Sequence, residues 1–105
     1  MDGDFFDALS NPYRRQIVRM LKWGNYSVNE ITKALEISQP SVSRHLDVLK
    51  KANLVVAERR ANQIIYSLNL SVMQEFVGKM VEFLDEIKDL KGARNYESNK
   101  GSYNN

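Results

Sequence analysis

Apolar residues recur along this 105-residue chain first at helical spacing, then in alternation, then at helical spacing again. Phe5, Phe6 and Leu9 stand among Asp2, Asp4 and Asp7, which predicts a brief amphipathic helix at the N-terminus. Asn11 before Pro12 is a helix-start signal, because the asparagine side chain can cap and the missing proline N–H costs nothing in a first turn. Tyr13, Ile17, Met20 and Leu21 then fall on one helical face while Arg14, Arg15, Arg19 and Lys22 point elsewhere, and Gly24-Asn25 ends the pattern. Ser27 and Glu30 form a capping box ahead of the stripe Val28, Ile31 and Leu35. After a tight turn at Glu36-Ile37, Ser38 can cap a helix whose apolar face is Val42, Leu46 and Leu49, with Asn53 as a left-handed stop. Two short helices joined this closely predict a helix-turn-helix unit, the second being the recognition helix.

The period then changes. Leu54 to Arg60 alternates, and so do Ile64, Tyr66 and Leu68, which predicts two strands joined at Arg60-Ala61-Asn62-Gln63, with Asn62 expected to take positive φ. Val72, Met73, Phe76, Val77, Met80, Phe83, Leu84, Ile87 and Leu90 mark a long final helix over about residues 70–90, roughly 30 Å at 1.5 Å per residue. From Gly92 onward no apolar periodicity remains. The expectation is one winged-helix DNA-binding and dimerisation domain over 1–91, mainly α with a small β-hairpin, followed by a disordered tail over 92–105.

Composition narrows the chemistry. The absence of cysteine excludes disulfides, thiolate metal sites and a cysteine nucleophile. The longest uncharged apolar run, Leu54 to Ala57, is far short of the roughly 20 residues that cross a bilayer. An acidic N-terminus is unlike a secretory signal, so a cytoplasmic protein without membrane insertion is expected. The net charge of +2 conceals a lopsided distribution: residues 1–9 carry −3, residues 10–66 carry +6, residues 67–90 carry −3 and residues 91–105 carry +2. A basic centre between acidic flanks suits a polyanion-binding unit. Ser43 and His45 are the only serine and histidine close in sequence, but they lie about 200° apart around a helix and have no glycine-rich elbow or evident partner carboxylate. No enzyme is expected.

The runs Ser10-Asn11-Pro12-Tyr13-Arg14-Arg15-Gln16-Ile17, Val28-Asn29-Glu30-Ile31 and Ile37-Ser38-Gln39-Pro40-Ser41-Val42-Ser43-Arg44-His45-Leu46 resemble those of the ArsR-type winged-helix repressors. Leu49-Lys50-Lys51-Ala52-Asn53-Leu54-Val55 and Tyr66-Ser67-Leu68-Asn69 match that family's passage from recognition helix through wing to terminal helix. The resemblance spans residues 5–90 and implies a homodimeric repressor on a pseudo-palindromic operator, released by an inducer. It departs from the metal-sensing branch, since Thr32 and Ala34 stand where that branch has cysteines and residues 70–90 hold no histidine. No cofactor is expected. The family's wing often has glycine where this chain has Ala61-Asn62.

With this resemblance in hand, the recognition-helix set is Ser38, Gln39, Pro40, Ser41, Ser43, Arg44, His45 and Lys51, with Gln39 suited to adenine and Arg44 to guanine in a major groove. Arg59, Arg60, Asn62 and Gln63 form the wing set, as phosphate or minor-groove contacts. Arg14 and Arg15 are as suited to pairing with an acidic helix as with DNA, and His45 to packing beside the core stripe as to a DNA contact. A domain of this size has too little interior for the whole terminal stripe. Phe5, Phe6, Leu9, Val72, Phe76, Val77, Met80, Phe83, Leu84 and Ile87 are therefore expected at a dimer seam, which would hold two recognition helices about 34 Å apart. A winged-helix protein-interaction module is the alternative class, and a carboxylate metal sensor a weaker one. The inducer is open among a protein partner, a small molecule at the seam and autoregulation by concentration.

Overall fold

The computed structural model describes residues 2–102, which form α1 (Asp2–Ala8), α2 (Pro12–Trp23), β1 (Tyr26–Ser27), α3 (Val28–Leu35), α4 (Gln39–Lys51), β2 (Val55–Arg60), β3 (Gln63–Leu68) and α5 (Leu70–Ser102). Each helix boundary has a local cause. The Asn11 side-chain oxygen accepts from the Tyr13 and Arg14 N–H groups at 2.8 and 3.2 Å, starting α2 with Pro12 in its first turn. Ser27 and Glu30 form the reciprocal box at the head of α3: the Ser27 hydroxyl accepts from the Glu30 N–H at 3.2 Å, and the Glu30 carboxylate accepts from the Ser27 N–H at 2.8 Å. Ser38 caps α4 by accepting from the Ser41 N–H.

Two left-handed residues turn the chain around the recognition helix. Glu36 (φ 57°) closes α3, its N–H donating to the Thr32 carbonyl at 3.0 Å. Asn53 (φ 61°) follows α4, with Asn53 N–H to Lys50 C=O and Leu54 N–H to Leu49 C=O both at 2.9 Å. That pair of bonds is a Schellman closure, and the Leu49 and Leu54 side chains at its two ends are both fully buried.

The sheet has three antiparallel strands in the order β1-β3-β2, where two were expected. Tyr26 and Ser27 pair with Tyr66 and Ile65 on one edge of β3, and Val55 through Arg60 pair with Leu68 through Gln63 on the other. Two residues are too few to register as alternation, so β1 leaves no periodic signal. At the hairpin tip Ala61, not Asn62, takes positive φ (55°), so the two-residue loop carries its positive-φ residue at the first position only. Register decides this; asparagine's greater tolerance of that region does not override it.

Ile17, Ile31, Val42, Leu46, Leu49 and Leu54 are fully buried, and Phe5, Ala8, Leu21, Ala52, Val55 and Tyr66 complete the core. Thus α2, α3 and α4 enclose the base of the hairpin while its tip, from Glu58 to Ile64, stays exposed. Phe5 is only 3% exposed and meets Phe6 edge-on, so it belongs to the core rather than to a surface seam.

Contacts divide the chain into two compact units between Val72 and Met73, rather than into one unit ending at residue 91. The helix α5 starts with Asn69 accepting from the Val72 N–H at 3.3 Å. It then continues through Gly92 to Ser102, where a disordered tail had been expected; residues 103–105 of that tail lie outside the described residues. A single interior glycine costs about 1 kcal/mol, less than a helix break requires, and no proline follows Pro40. Among the described residues no helix is long and apolar enough to cross a membrane.

Two substitutions test these local causes. Ser27→Ala removes a buried cap and should lower unfolding free energy by about 1 kcal/mol in denaturant titrations. Ala61→Gly should raise it by about 0.5 kcal/mol, since relief of the left-handed alanine exceeds the added freedom of the unfolded chain; a loss of stability would show that the tip is not left-handed in solution.

Candidate nucleic-acid interface

The recognition-helix candidates separate by position once α4 is seen in place. Gln39, Pro40, Ser43, Arg44 and Lys51 are exposed together with Asp47 and Lys50, opposite the buried Val42, Leu46 and Leu49. Ser38 and Ser41 are partly used up in the cap: the Ser38 hydroxyl donates to the Ser41 hydroxyl at 2.9 Å while accepting from its N–H. Arg44 lies between small Ser43 and half-buried His45 and takes part in no ion pair among the described residues. Its guanidinium is therefore available to a carboxylate, phosphate or base edge.

The fold brings the wing tip to the head of this helix. Asn62, Gln63 and Ile64 line one cleft, of about 220 Å³, together with Gln39 of α4 and Ser27, Val28 and Asn29 at the start of α3. Four carboxamides, Asn29, Gln39, Asn62 and Gln63, thus converge where two helix N-termini open. Each carboxamide offers both a donor and an acceptor, which base edges can match as a pair, while phosphate oxygens accept from the donor alone. Asn29 escaped the sequence reading, although the capping box beside it already fixed where α3 begins. Arg59 and Arg60 are exposed on β2 outside this lining, and Arg60 Nε donates to the Glu58 carboxylate at 3.0 Å. Such an exposed pair opens readily for a phosphate.

Arg14 and Arg15 are committed elsewhere. Arg14 Nε donates to the Ala8 carbonyl at 2.6 Å and its Nη2 to the Asp7 carbonyl at 3.1 Å; Arg15 Nη1 donates to the Leu9 carbonyl at 2.8 Å. These oxygens lie at the end of α1 and just past it, where cations are favoured by the helix dipole, and the Asp7 carbonyl also accepts from the Ser10 N–H and hydroxyl. The arginines do meet the acidic helix, but through its backbone rather than its carboxylates.

His45 is drawn into the same arrangement. Its ring lies 5.8 Å from that of Tyr13, and its Nδ1 is 3.2 Å from Arg14 Nη1. A guanidinium has no acceptor, so Nδ1 must accept and the ring proton sits on Nε2. Burial first, then the charges of Arg14 and Arg44, hold its pKa below the usual 6.5. His45 is a packed, neutral side chain at neutral pH rather than one turned to solvent. Burial first, then the charge of Asp47, raises the pKa of Tyr66 on the central strand.

The former cysteine positions of the metal-sensing pattern, Thr32 and Ala34, supply no ligand set, and among the described residues no group of three or more histidine, aspartate or glutamate side chains is placed to hold a metal ion. On α5, Met73, Phe76, Met80, Phe83, Ile87 and Leu90 follow one another by three and four residues, the spacing of a coiled-coil seam. Val77, Val81, Phe83 and Leu84 are each at least half exposed, whereas Val72, Phe76, Met80 and Ile87 are half-buried. Phe6 is exposed and Leu9 half-buried. Val81 is absent from the expected seam because it falls outside the strictest stripe.

Comparison with known proteins agrees with this geometry. The family model for bacterial regulatory proteins of the arsR family matches residues 11–56, from the cap of α2 into β2. The transcriptional repressor SdpR of Bacillus subtilis is 38% identical over 84 residues, covering 80% of this chain and 93% of that protein. Among solved structures, the transcriptional repressor BigR from Xylella fastidiosa superposes with a TM-score of 0.62 at 30% identity, over 77% of this chain and 83% of that one. A homodimeric winged helix-turn-helix DNA-binding domain from Mycobacterium bovis, Mb0332, does so with a TM-score of 0.66 at 26% identity, over 83% and 82%. Helix order, capping chemistry, winged sheet and sequence relatives converge: the chain belongs to the ArsR family of bacterial regulatory proteins, which are transcriptional regulators and not enzymes.

Proposed function

We propose that this chain is a sequence-specific DNA-binding transcriptional repressor acting as a homodimer on a pseudo-palindromic operator. The observation that carries the reading is the cleft that joins Gln39 at the head of α4 to Asn62 and Gln63 at the wing tip, beside the outward Arg44. A recognition helix presents its first turns to a major groove, and a hairpin alongside it reaches the neighbouring backbone or minor groove. Gln39, Ser43 and Arg44 read bases; Pro40 shapes the first turn; Lys51, Arg59, Arg60, Asn62 and Gln63 set position on phosphates. Ser38 and Ser41 contribute through the cap that orients this turn. His45 supports the helix from behind.

Pairing supplies the second half-site. The pairing residues assigned in the second unit are Phe76, Val77, Met80, Val81, Phe83, Leu84 and Ile87; those assigned in the first are Phe6, Leu9 and Val72, while Phe5 is buried in that unit's own core. The dimeric, DNA-binding character of Mb0332 and the repressor names of SdpR and BigR support this reading. The chain has no thiolate, and Thr32 and Ala34 offer no ligand set for a soft metal, which supports regulation by something other than soft-metal binding. Control by a protein partner, a small molecule or the repressor's own concentration fits a chain of this kind, in the cytoplasm.

Two measurements test the proposal. In electrophoretic titrations, Arg44→Ala should flatten the preference for operator over scrambled duplex by about 1–3 kcal/mol, while Arg60→Ala weakens both duplexes alike; the reverse pattern, or no binding to any duplex, would reject it and favour the protein-interaction module. In sedimentation equilibrium the 12.1 kDa chain should run at twice its mass, and the double change Phe83→Glu and Leu84→Glu should return it to a single subunit and weaken operator binding.

A further inference from the structure

We propose that Arg14 is a positioning residue for DNA recognition, a three-way tie that clamps the end of α1 to His45 in the middle of the recognition helix. The inference rests on the reading of α4 as the DNA-reading helix and assigns a role to a residue that does not touch DNA. One guanidinium uses each of its three nitrogens on a different partner: Nε on the Ala8 carbonyl, Nη2 on the Asp7 carbonyl and Nη1 on His45 Nδ1. The fork is planar and rigid, so fixing two of its arms on backbone fixes the direction of the third. The third arm meets a ring that Tyr13 already flanks at 5.8 Å, so the imidazole is held from α2 on two sides. Because His45 is the residue next to Arg44, holding its ring limits rolling of α4 about its own axis, and with it the angle at which Arg44 leaves the helix.

The tie works in one protonation state. Neutral imidazole accepts at Nδ1; protonated imidazole has a donor there and would face the Arg14 donor, with a second cation, Arg44, beside it on α4. The other charged groups that α1 turns toward α4, Asp4 and Asp7, line a separate cleft with Val48, Lys51 and Ala52, further along the helix. Tyr13 offers the imidazole an aromatic face. Because the folded-state pKa lies below 6.5, the unfolded chain takes up the proton first, and the contact weakens as pH falls below that value.

The sequence contains a single histidine, so its ring signals are assigned without a variant. Long-range proton–nitrogen spectra of the intact protein at pH 7.5 should show the proton on Nε2, with a titration midpoint below 6.5, and Arg14→Gln should raise that midpoint. In the same series, preference for a duplex selected by the wild-type protein from a randomised library, over a scrambled duplex of equal length, should fall roughly fivefold in Arg14→Gln at pH 7.5. The wild-type preference should also fall on acidification from 7.5 to 5.5, and His45→Asn, which keeps an acceptor near the Nδ1 position and cannot titrate, should flatten that profile. A proton on Nδ1, an unchanged midpoint in Arg14→Gln, or an Arg14→Gln preference equal to that of the wild type would overturn the tie. If Arg14→Gln fails to fold, the wild-type tautomer and the His45→Asn profile decide alone. Failure of the wild type to enrich any duplex would instead remove the DNA-reading role of α4, which the imidazole spectra do not depend on.

Discussion

The reciprocal hydrogen bonds between Ser27 and Glu30 are the constraint on which the rest of the architecture turns. Ser27 is at once the last residue of β1, paired with Ile65 on the central strand, and the cap of α3. It is also a buried polar residue, so its hydroxyl and N–H must find partners, and the capping box supplies both. Sheet and helix-turn-helix therefore share one residue instead of being joined by a linker. The direction in which α3 leaves the sheet fixes, through the left-handed Glu36 and the Ser38 cap, where α4 begins. The Schellman closure at Asn53 then returns the chain to β2, and the Asn69 N–H donates to the Leu54 carbonyl at 2.9 Å, closing the base of the wing on the end of the recognition helix.

Much of this is legible in the residues because the deciding interactions are local. A cap acts over three positions, and a helical stripe repeats within one turn, so Asn11, Ser27, Glu30, Ser38 and Asn53 could each be assigned from their neighbours alone. The interior face of α4 is equally plain, since Val42, Leu46 and Leu49 stand among polar residues. What escaped is what depends on distant chain. The strand β1 exists only because Tyr66 and Ile65 lie beside it, and Ala61 is left-handed because strand register allots it the first loop position. The carbonyl partners of Arg14 and Arg15 lie within seven residues in sequence, yet backbone carbonyls carry no side-chain signature, and the other partner of Arg14, His45, lies 31 residues away. At the candidate interface, Gln39, Arg44, Asn62 and Gln63 were visible as polar residues in the right motif; their convergence with Asn29 was not, because it is a property of the assembled fold.

The charge distribution also looks different once the fold is known. The segment from residue 10 to 66 carries a surplus of six positive charges, but two of its arginines spend their hydrogen bonds on the end of α1. Of its other exposed cations, Arg44, Lys50, Lys51, Arg59 and Arg60 lie on α4 and β2, while Arg19, Lys22 and Lys33 lie on α2 and α3. In α2, Lys22 instead lies 5.1 Å from the centre of the exposed Trp23 ring. Counting cations in a segment thus overstates the donors left to meet a polyanion, since those of Arg14 and Arg15 are used within the fold although their charges remain.

The placement of β1 at the base of the hairpin has an evolutionary corollary. Because Tyr26 and Ser27 grip Tyr66 and Ile65, the strand register is set at the end nearest the core, and the last two residues of each arm, Arg59-Arg60 and Gln63-Ile64, carry no part of that setting. Insertions or deletions at the loop, made one residue on each arm at a time, would lengthen or shorten the reach of the finger without turning any buried side chain outward, whereas a change on one arm alone would demand a bulge. Lineages sharing this scaffold can therefore drift in finger length, and so in how far the hairpin projects, while the packing of α4 stays untouched.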